Sequence, residues 1–287
     1  MRDPRELAVG ITAIHRRRLN ETGASDPGDA AAQMAGVLTT NLGPGRNKLL
    51  LRGLADGVFT GRARSTVATY LDDMLVRIAA HRGVEHPFLN AYRHQALDAE
   101  QERLLFSECY YFFRYLPFYI TGMAMKTRDE AILREIVLNV VDEVGSDPTH
   151  SSVFAGFLAS IGITPADLEA YEPLEVTRQL NDGIRRLYTE MSICTSLGAL
   201  YADETMSSIM VSKLNDGLAN QGYDEDVRHF WLMHIDLEMG HSNSVFNAIA
   251  PYVGSAEARA EFEEGAFAFL GLVERYWDGV GQLVGLP

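Results

Sequence analysis

"HFWLMHIDLEMGHS" spans residues 229–242 and sets three of the chain's eight histidines among large apolar side chains. At about 100° of rotation per helical residue, His234, Glu238 and His241 fall within roughly 60° of one another, and His229 points well away from them. Two imidazoles and one carboxylate on one helix face are typical of one half of a metal site. One helix cannot complete such a site, so other parts of the chain must supply the remaining ligands.

Composition limits the classes of protein to consider. The chain has 287 residues and 47% hydrophobic residues, enough for one large domain or for a domain with an added subdomain. Residues 86–287 carry 13 Lys and Arg against 30 Asp and Glu, a net charge of −17, which disfavours a nucleic-acid partner. The absence of a signal-peptide pattern and of an 18-residue uncharged apolar run predicts a cytoplasmic protein without a membrane partner.

Apolar residues recur at helical spacing almost throughout, and no stretch alternates convincingly as a strand. The sequence therefore predicts an all-α protein, with breaks at "GSDP" (145–148) and "GITP" (162–165). Thr164 followed by Pro165 is typical of a helix start. We expect an N-terminal helical extension over residues 1–85, followed by a bundle of about seven helices over residues 86–287.

Several carboxylate and imidazole side chains fall on otherwise apolar helix faces. Glu108 and Glu204 each follow leucines at helical offsets, and Glu143 precedes His150 by seven residues across the first break. Buried carboxylates cost several kcal/mol each unless a cation compensates them. Oxygen and imidazole ligands without thiolate suit two iron or manganese ions better than a structural zinc. The candidate metal ligands are Glu108, Glu143, His150, Glu204, His234, Glu238 and His241.

Simpler roles exist for each of these residues taken singly. A single carboxylate on a helix is typical of an exposed or salt-bridged position, with Arg114 or Arg134 as a candidate partner. His150 alone fits a helix cap, and His234 alone fits a hydrogen-bonded core histidine. Spacing by itself leaves these roles open beside metal binding.

Four segments, in order, resemble the core helices of the haem-oxygenase-like diiron oxidases and oxygenases, which are relatives of the thiaminase-II and pyrroloquinoline-quinone-synthase fold. The segments are "HPFLNAYRHQALDAEQERLLFSECYYFFRYLPFYI" (86–120), "NVVDEVGSDPTHSSVFAGFLASIGI" (139–163), "ADETM" (202–206) and "HIDLEMGH" (234–241). The resemblance covers roughly residues 84–285 and implies a haem-oxygenase-like helical bundle.

Carried over to matching positions, the resemblance implies five ligands and two further carboxylates. The ligands are His150, Glu204, His234, Glu238 and His241, and the carboxylates are Glu143 and Glu108. Two positions depart from the family pattern. Glu238 stands where the family most often has Asp, and Glu108 stands where many relatives have Gln.

The activity implied by the resemblance is an O2-dependent oxidation by two Fe(II) ions, with electrons from an external reductant. Its substrate is an amino acid or small amine in specialised-metabolite biosynthesis, changed by N-oxygenation or by C–H or C–C oxidation. Tyr111, Phe112 and Tyr115 are candidate walls of the substrate pocket, with core packing as their simpler role. A homodimer is compatible with this family.

Two other classes of function stay open. A metal-free or hydrolytic enzyme resembling thiaminase II would use Cys109 or Cys194 as its nucleophile, although neither has a base at a readable spacing. Neither cysteine has the CxxC or Cys/His spacing of a thiolate metal site or a disulfide framework. A helical interaction protein with a structural metal is the third class.

Overall fold

The computed structural model describes residues 66–145, 148–235 and 249–287, which contain helices and no strand. Helix α10 covers residues 229–235 as far as the structure describes it. No helix in these ranges is long and apolar enough to cross a lipid bilayer. The other helices are α1 Thr66–Ala79, α2 Pro87–Tyr92, α3 Ala99–Phe113, α4 Leu116–Met123, α5 Glu130–Val144, α6 His150–Ser160, α7 Pro165–Ala170, α8 Glu175–Thr189, α9 Ile193–Asn220 and α11 Ala256–Val284, with 3₁₀ turns at Ala124–Lys126 and Ala250–Val253.

The bundle belongs to a compact unit that runs from Asp73 to Pro287. Residues 73–85 are part of this unit, and Arg82 donates hydrogen bonds to Glu274 (2.8 Å) and Asp278 (2.8 Å) on α11. The domain boundary expected after residue 85 stays a prediction. Residues 1–65, most of the expected N-terminal extension, lie outside the described residues.

Helix α7 begins where the sequence predicts. The Thr164 hydroxyl accepts a hydrogen bond from the Asp167 backbone N–H (3.2 Å), and the Asp167 carboxylate accepts one from the Thr164 backbone N–H (2.8 Å). These two reciprocal hydrogen bonds form a capping box. They supply acceptors for two backbone N–H groups that would otherwise lack partners at the start of the helix. Pro165 occupies the first turn, where its missing N–H costs nothing. The helix start predicted at Thr164 is confirmed.

Two long helices, α9 and α11, pack along each other and form the centre of the bundle. Their backbones nearly touch at two glycines. A Cβ atom on Gly198 would lie 1.9 Å from the carbonyl oxygen of Phe262, and one on Gly265 would lie 1.8 Å from that of Thr195. Only glycine permits this approach at either position. The close crossing fixes α9, which carries Glu204.

An aromatic cluster attaches α10 to the bundle. Trp231 is fully buried, and its ring centroid lies 5.7 Å from that of Phe106 on α3 and 5.3 Å from that of Phe157 on α6. Such ring pairs contribute about 0.5–1.5 kcal/mol each beyond the area they bury. The anchor at Trp231 positions His234, one helical turn later, against α6.

Candidate metal centre

A cavity of about 100 Å³ lies among α3, α4, α5, α6, α9 and α10. Aromatic and aliphatic side chains, including Phe113, Phe154 and Phe230, make up much of its wall. Such a wall lowers the local polarity and strengthens electrostatic interactions inside. The polar and ionisable part of the wall consists of Tyr110, Arg114, Asn139, Glu143, His150, Ser151, Asp203, Glu204, Ser207 and His234.

Three predicted ligands converge in this cavity. Glu143, His150 and His234 each offer a ligand atom, and these atoms all lie within 4.8 Å of one another. The break between α5 and α6 explains part of the geometry, because Glu143 lies in the last turn of α5 and His150 is the first residue of α6. The Thr149 side chain accepts a hydrogen bond from the Ser152 backbone N–H (3.2 Å) and thereby fixes the start of α6.

The tautomer of His234 suits metal binding. Its Nδ1 lies 2.8 Å from the carbonyl oxygen of Phe230, one turn earlier on α10. A carbonyl oxygen only accepts hydrogen bonds, so Nδ1 carries the proton and Nε2 carries the lone pair. Histidines that bind metals are oriented in this way by a hydrogen bond from their other ring nitrogen.

His150 supplies the second imidazole. The residue is buried, and its Nδ1 lies 3.2 Å from Oε1 of Glu143. This contact is an ion-pair contact, and Nδ1 has no further hydrogen-bond partner among the described residues. The neighbouring Glu143 carboxylate raises the pKa of His150 in spite of its burial. A buried imidazole nitrogen left in this way beside a carboxylate fits a bound metal ion.

Glu204 reaches the same cavity from α9, where its carboxylate accepts a hydrogen bond from Asn139 on α5. Burial raises the pKa of Glu204 to about 7, the Asn139 hydrogen bond lowers it, and the nearby Glu143 carboxylate raises it. Burial also raises the pKa of Asp203 to about 8, and the Tyr188 hydroxyl donates to its carboxylate (2.8 Å). Three clustered carboxylates repel one another, and bound cations would offset that repulsion.

Glu108 lies away from this group and does not line the cavity. Its carboxylate is fully buried and accepts hydrogen bonds from the Tyr171 hydroxyl (2.5 Å), the Leu174 backbone N–H (2.9 Å) and the Thr177 hydroxyl. Leu174 is the N-cap of α8 and has no side chain that can cap it. Glu108 therefore caps α8 from another helix. The structure does not bring Glu108 to the other predicted ligands.

The structure places only one of the three aromatic residues expected in the pocket wall at the cavity. Phe112 lines the cavity, whereas Tyr111 and Tyr115 do not. The Tyr111 hydroxyl instead donates to the carbonyl oxygen of Leu168 on α7 (2.6 Å). Tyr110 lines the cavity in place of Tyr111. The face of α3 that meets the cavity is therefore rotated by about one residue from the predicted face.

Arg114, Asp203 and Ser207 line the cavity but were not predicted as site residues. Ser207 follows Asp203 by one helical turn, and its hydroxyl donates to the Asp203 carbonyl oxygen (2.9 Å). The sequence signal for both is their position within one turn of Glu204 on α9. Arg114 could also have been identified from the sequence, because it is a cationic residue in an otherwise aromatic run.

The last two predicted ligands, Glu238 and His241, lie outside the described residues, which end at residue 235 and resume at residue 249. Their roles as ligands stay predictions. Within the described part of the chain, the cavity brings together Glu143, His150, Glu204 and His234.

Neither cysteine has the surroundings of a nucleophile. Burial raises the pKa of the Cys109 thiol to about 12, and its polar contact is the hydroxyl of Tyr276 (3.7 Å). Burial also raises the pKa of Cys194, whose thiol lies 4.0 Å from the carbonyl oxygen of Tyr252. A reactive cysteine requires a lowered pKa. These thiols disfavour the hydrolytic alternative.

Comparisons with known proteins agree with an iron site on this fold. A family model described as "iron-containing redox enzyme" matches residues 103–274, so the chain belongs to that family. The 4-chloro-allylglycine synthase of Streptantibioticus cattleyicolor is 80% identical over 220 residues, which are 77% of this chain and 86% of that protein. The 4-aminobenzoate synthase of Chlamydia pneumoniae is 22% identical over 177 residues, 60% of this chain and 77% of that protein.

A solved structure is similar to the bundle. It is a domain with a haem oxygenase-like fold from Shewanella denitrificans, with a TM-score of 0.60 and 17% identity, and the match covers 76% of this chain and 89% of that one. The predicted all-α haem-oxygenase-like fold is confirmed. Family membership likewise confirms that the chain is an iron-dependent oxidoreductase.

Proposed function

We propose that this chain is a two-iron, O2-dependent oxidase that acts on the side chain of an amino acid. The group formed by Glu143, His150 and His234 carries this proposal, because its ligand atoms lie within 4.8 Å of one another in an aromatic-walled cavity. Membership in the iron-containing redox enzymes supports iron as the metal.

Two ions need more ligands than these three residues supply. Glu204 lies in the same cavity, and Glu238 and His241 follow His234 at spacings that share its helix face. Six residues would thus hold the two ions, three of them carboxylates that offset the positive charge. When bound, the iron ions supply the electrons that reduce O2 and the oxidising power to remove hydrogen from an unactivated carbon.

The protein side chains around the ligands hold them in position. The Phe230 carbonyl oxygen keeps Nδ1 of His234 protonated, and Asn139 orients the Glu204 carboxylate through its hydrogen bond. Phe154 lies between these elements, with its ring centroid 4.6 Å from that of Phe230. This apolar packing limits the access of water to the reacting carbon.

The names of the relatives favour oxidation at carbon over oxidation at nitrogen. The relative that is 80% identical is a synthase of 4-chloro-allylglycine, an amino acid whose side chain ends in a carbon–carbon double bond. Making such a bond by oxidation removes a hydrogen from one carbon and a second hydrogen or a carbon fragment from its neighbour. We therefore propose an α-amino acid as the substrate and an unsaturated amino acid as the product.

The proposal is tested by loading the protein with Fe(II) without oxygen and then mixing it with O2 and single amino acids. We expect one amino acid to accelerate O2 uptake and to yield a product that has lost hydrogen, detected by mass spectrometry. Loss of a residue that only supports a metal ligand typically reduces activity ~10- to 100-fold. Because His150 is a proposed ligand itself, His150→Ala should reduce turnover by more than this.

His94→Ala is the matched control, because His94 is exposed and does not line the cavity, and it should keep full turnover. Full activity of His150→Ala would contradict the assigned site. A protein that consumes no O2 with any amino acid would contradict the proposed reaction.

A further inference from the structure

Arg114 is the one lysine or arginine side chain in the described wall of the cavity. It is the C-cap residue of α3, just before the chain turns into α4. Its guanidinium is partly buried, and no described carboxylate forms an ion pair with it. Among the described residues, no carboxylate balances this positive charge in the wall of the cavity that also contains the proposed metal ligands.

Three tyrosine rings contact the guanidinium, and the ring of Tyr111 is the most distant of them at 5.9 Å. Its central carbon lies 4.8 Å from the ring centroid of Tyr110 and 4.9 Å from that of Tyr115. Cation–π contacts of this kind occupy the flat faces of the guanidinium. Its N–H groups lie in the plane and at the edge, where they can donate two parallel hydrogen bonds to a carboxylate.

The wall of the cavity contains ionisable groups of both charges. Glu143, Asp203 and Glu204 contribute carboxyl groups, and the proposed iron ions would offset their negative charge when they are ionised. Arg114 does not offset that charge directly, because none of the described carboxylates forms an ion pair with it. Leu116 and Ile120 also belong to the wall, and they offer an apolar surface for an alkyl chain.

We propose that Arg114 binds the α-carboxylate of the substrate and makes the enzyme specific for amino acids over amines. This proposal rests on the proposed function, since it concerns the substrate of the same site. Binding the carboxylate at Arg114 fixes one end of the substrate. The side chain then extends along the apolar wall toward the ligands.

Arg114 is tested with two ligands that differ only in the charge of one group. Allylglycine carries an α-carboxylate, and allylglycinamide carries a neutral amide in its place. Calorimetric titration of the Fe(II)-loaded protein without oxygen gives a Kd for each. We expect wild-type protein to bind allylglycine ~10- to 100-fold more tightly than the amide, the range of a charge-assisted bidentate pair.

Arg114→Gln should abolish this preference by weakening the binding of allylglycine while leaving the Kd of the amide unchanged. Arg114→Lys should keep part of the preference, because a lysine retains the charge but not the planar pair of donors. In turnover assays Arg114→Gln should raise KM for the amino acid at least ~10-fold with unchanged iron content. Arg134→Gln is the control, since Arg134 is exposed on α5 outside the cavity.

Three results would overturn the proposal, and they are distinguishable. Equal weakening of both ligands in Arg114→Gln would mean that Arg114 acts through packing alone. A preserved preference in Arg114→Gln would mean that the carboxylate binds elsewhere, for example at iron, while the proposed reaction survives. Failure of wild-type protein to bind either ligand would overturn the role of Arg114, and the test of O2 uptake with single amino acids then decides separately whether the amino-acid substrate survives.

Discussion

Replacing Glu108 with Gln distinguishes a carboxylate that stabilises the fold from the carboxylates that we propose as metal ligands. Glu108 accepts hydrogen bonds from Tyr171, from the Leu174 backbone N–H at the start of α8 and from Thr177. An amide retains the shape but loses the charge, and one of its two ends can no longer accept a hydrogen bond.

The cost follows from these contacts. Hydrogen bonds to a charged group stabilise by about 1.5–3 kcal/mol and neutral ones by about 1 kcal/mol. The negative charge at the start of α8 adds about 0.3–1 kcal/mol. Glu108→Gln should therefore destabilise the protein by about 2–4 kcal/mol, which lowers the Tm of a domain of this size by roughly 5–15 °C.

The assay compares the Tm and the iron content of Glu108→Gln with those of Glu204→Gln. We expect Glu108→Gln to lose stability and still bind about two iron ions per chain. Glu204→Gln should lose iron, while its metal-free form keeps or gains stability because a buried charge has been removed. Loss of iron from Glu108→Gln with little change in Tm would refute this reasoning and restore Glu108 as a ligand.

Two further predictions concern the bundle. Gly198→Ala should destabilise the protein by about 3 kcal/mol or more, since its Cβ would meet the Phe262 backbone, and equal stability of the variant would contradict the close crossing. Gly156→Ala is the control: it lies in α6 with nothing within 4 Å of the added Cβ and should stabilise by about 0.5–1 kcal/mol. Burial lowers the pKa of Lys126 to about 8 in the folded protein. Between pH 8 and 10 the unfolded state therefore binds more protons than the folded state. As the pH rises through this range, the stability of the wild-type protein should increase relative to that of Lys126→Met. Denaturant unfolding at pH 7.5 and 9.5 measures that difference, and an unchanged gap would contradict the lowered pKa.

The sequence predicts best where local signals are strong. The Gly145–Pro148 break and the seven-residue step from Glu143 to His150 place both side chains at one helix junction, and the structure brings them together. Glu204 and His234 reach the same cavity because each lies at the expected register on its helix. Helical periodicity and capping residues are local, so they can be read without the fold.

In helix α3, neither the side that faces the cavity nor the role of Glu108 could be predicted from the sequence. Four consecutive aromatic residues, 110–113, make the helix apolar on every side, so periodicity does not indicate which face meets the cavity. The donors that hold Glu108 come from Tyr171, Leu174 and Thr177, more than sixty residues later in the chain. A buried carboxylate satisfied by such distant partners has the same local pattern as a metal ligand.

Arg114 shows a related limit. As a cation beside a predicted acidic site, it is a candidate for an internal ion pair in the sequence. The structure instead stacks its guanidinium on Tyr110 and Tyr115, and none of the described carboxylates pairs with it. The difference depends on side-chain directions at the turn from α3 to α4, which no spacing rule predicts.

Anaerobic titration of the metal-free protein with Fe(II) tests the central claim most directly, because it counts the ions that the clustered carboxylates and imidazoles hold. Glu143, His150, Glu204 and His234, with Glu238 and His241, should bind about two iron ions per chain before added Fe(II) remains in solution. Saturation at one ion per chain, or a preference for Zn(II) over Fe(II), would contradict a two-iron oxidase.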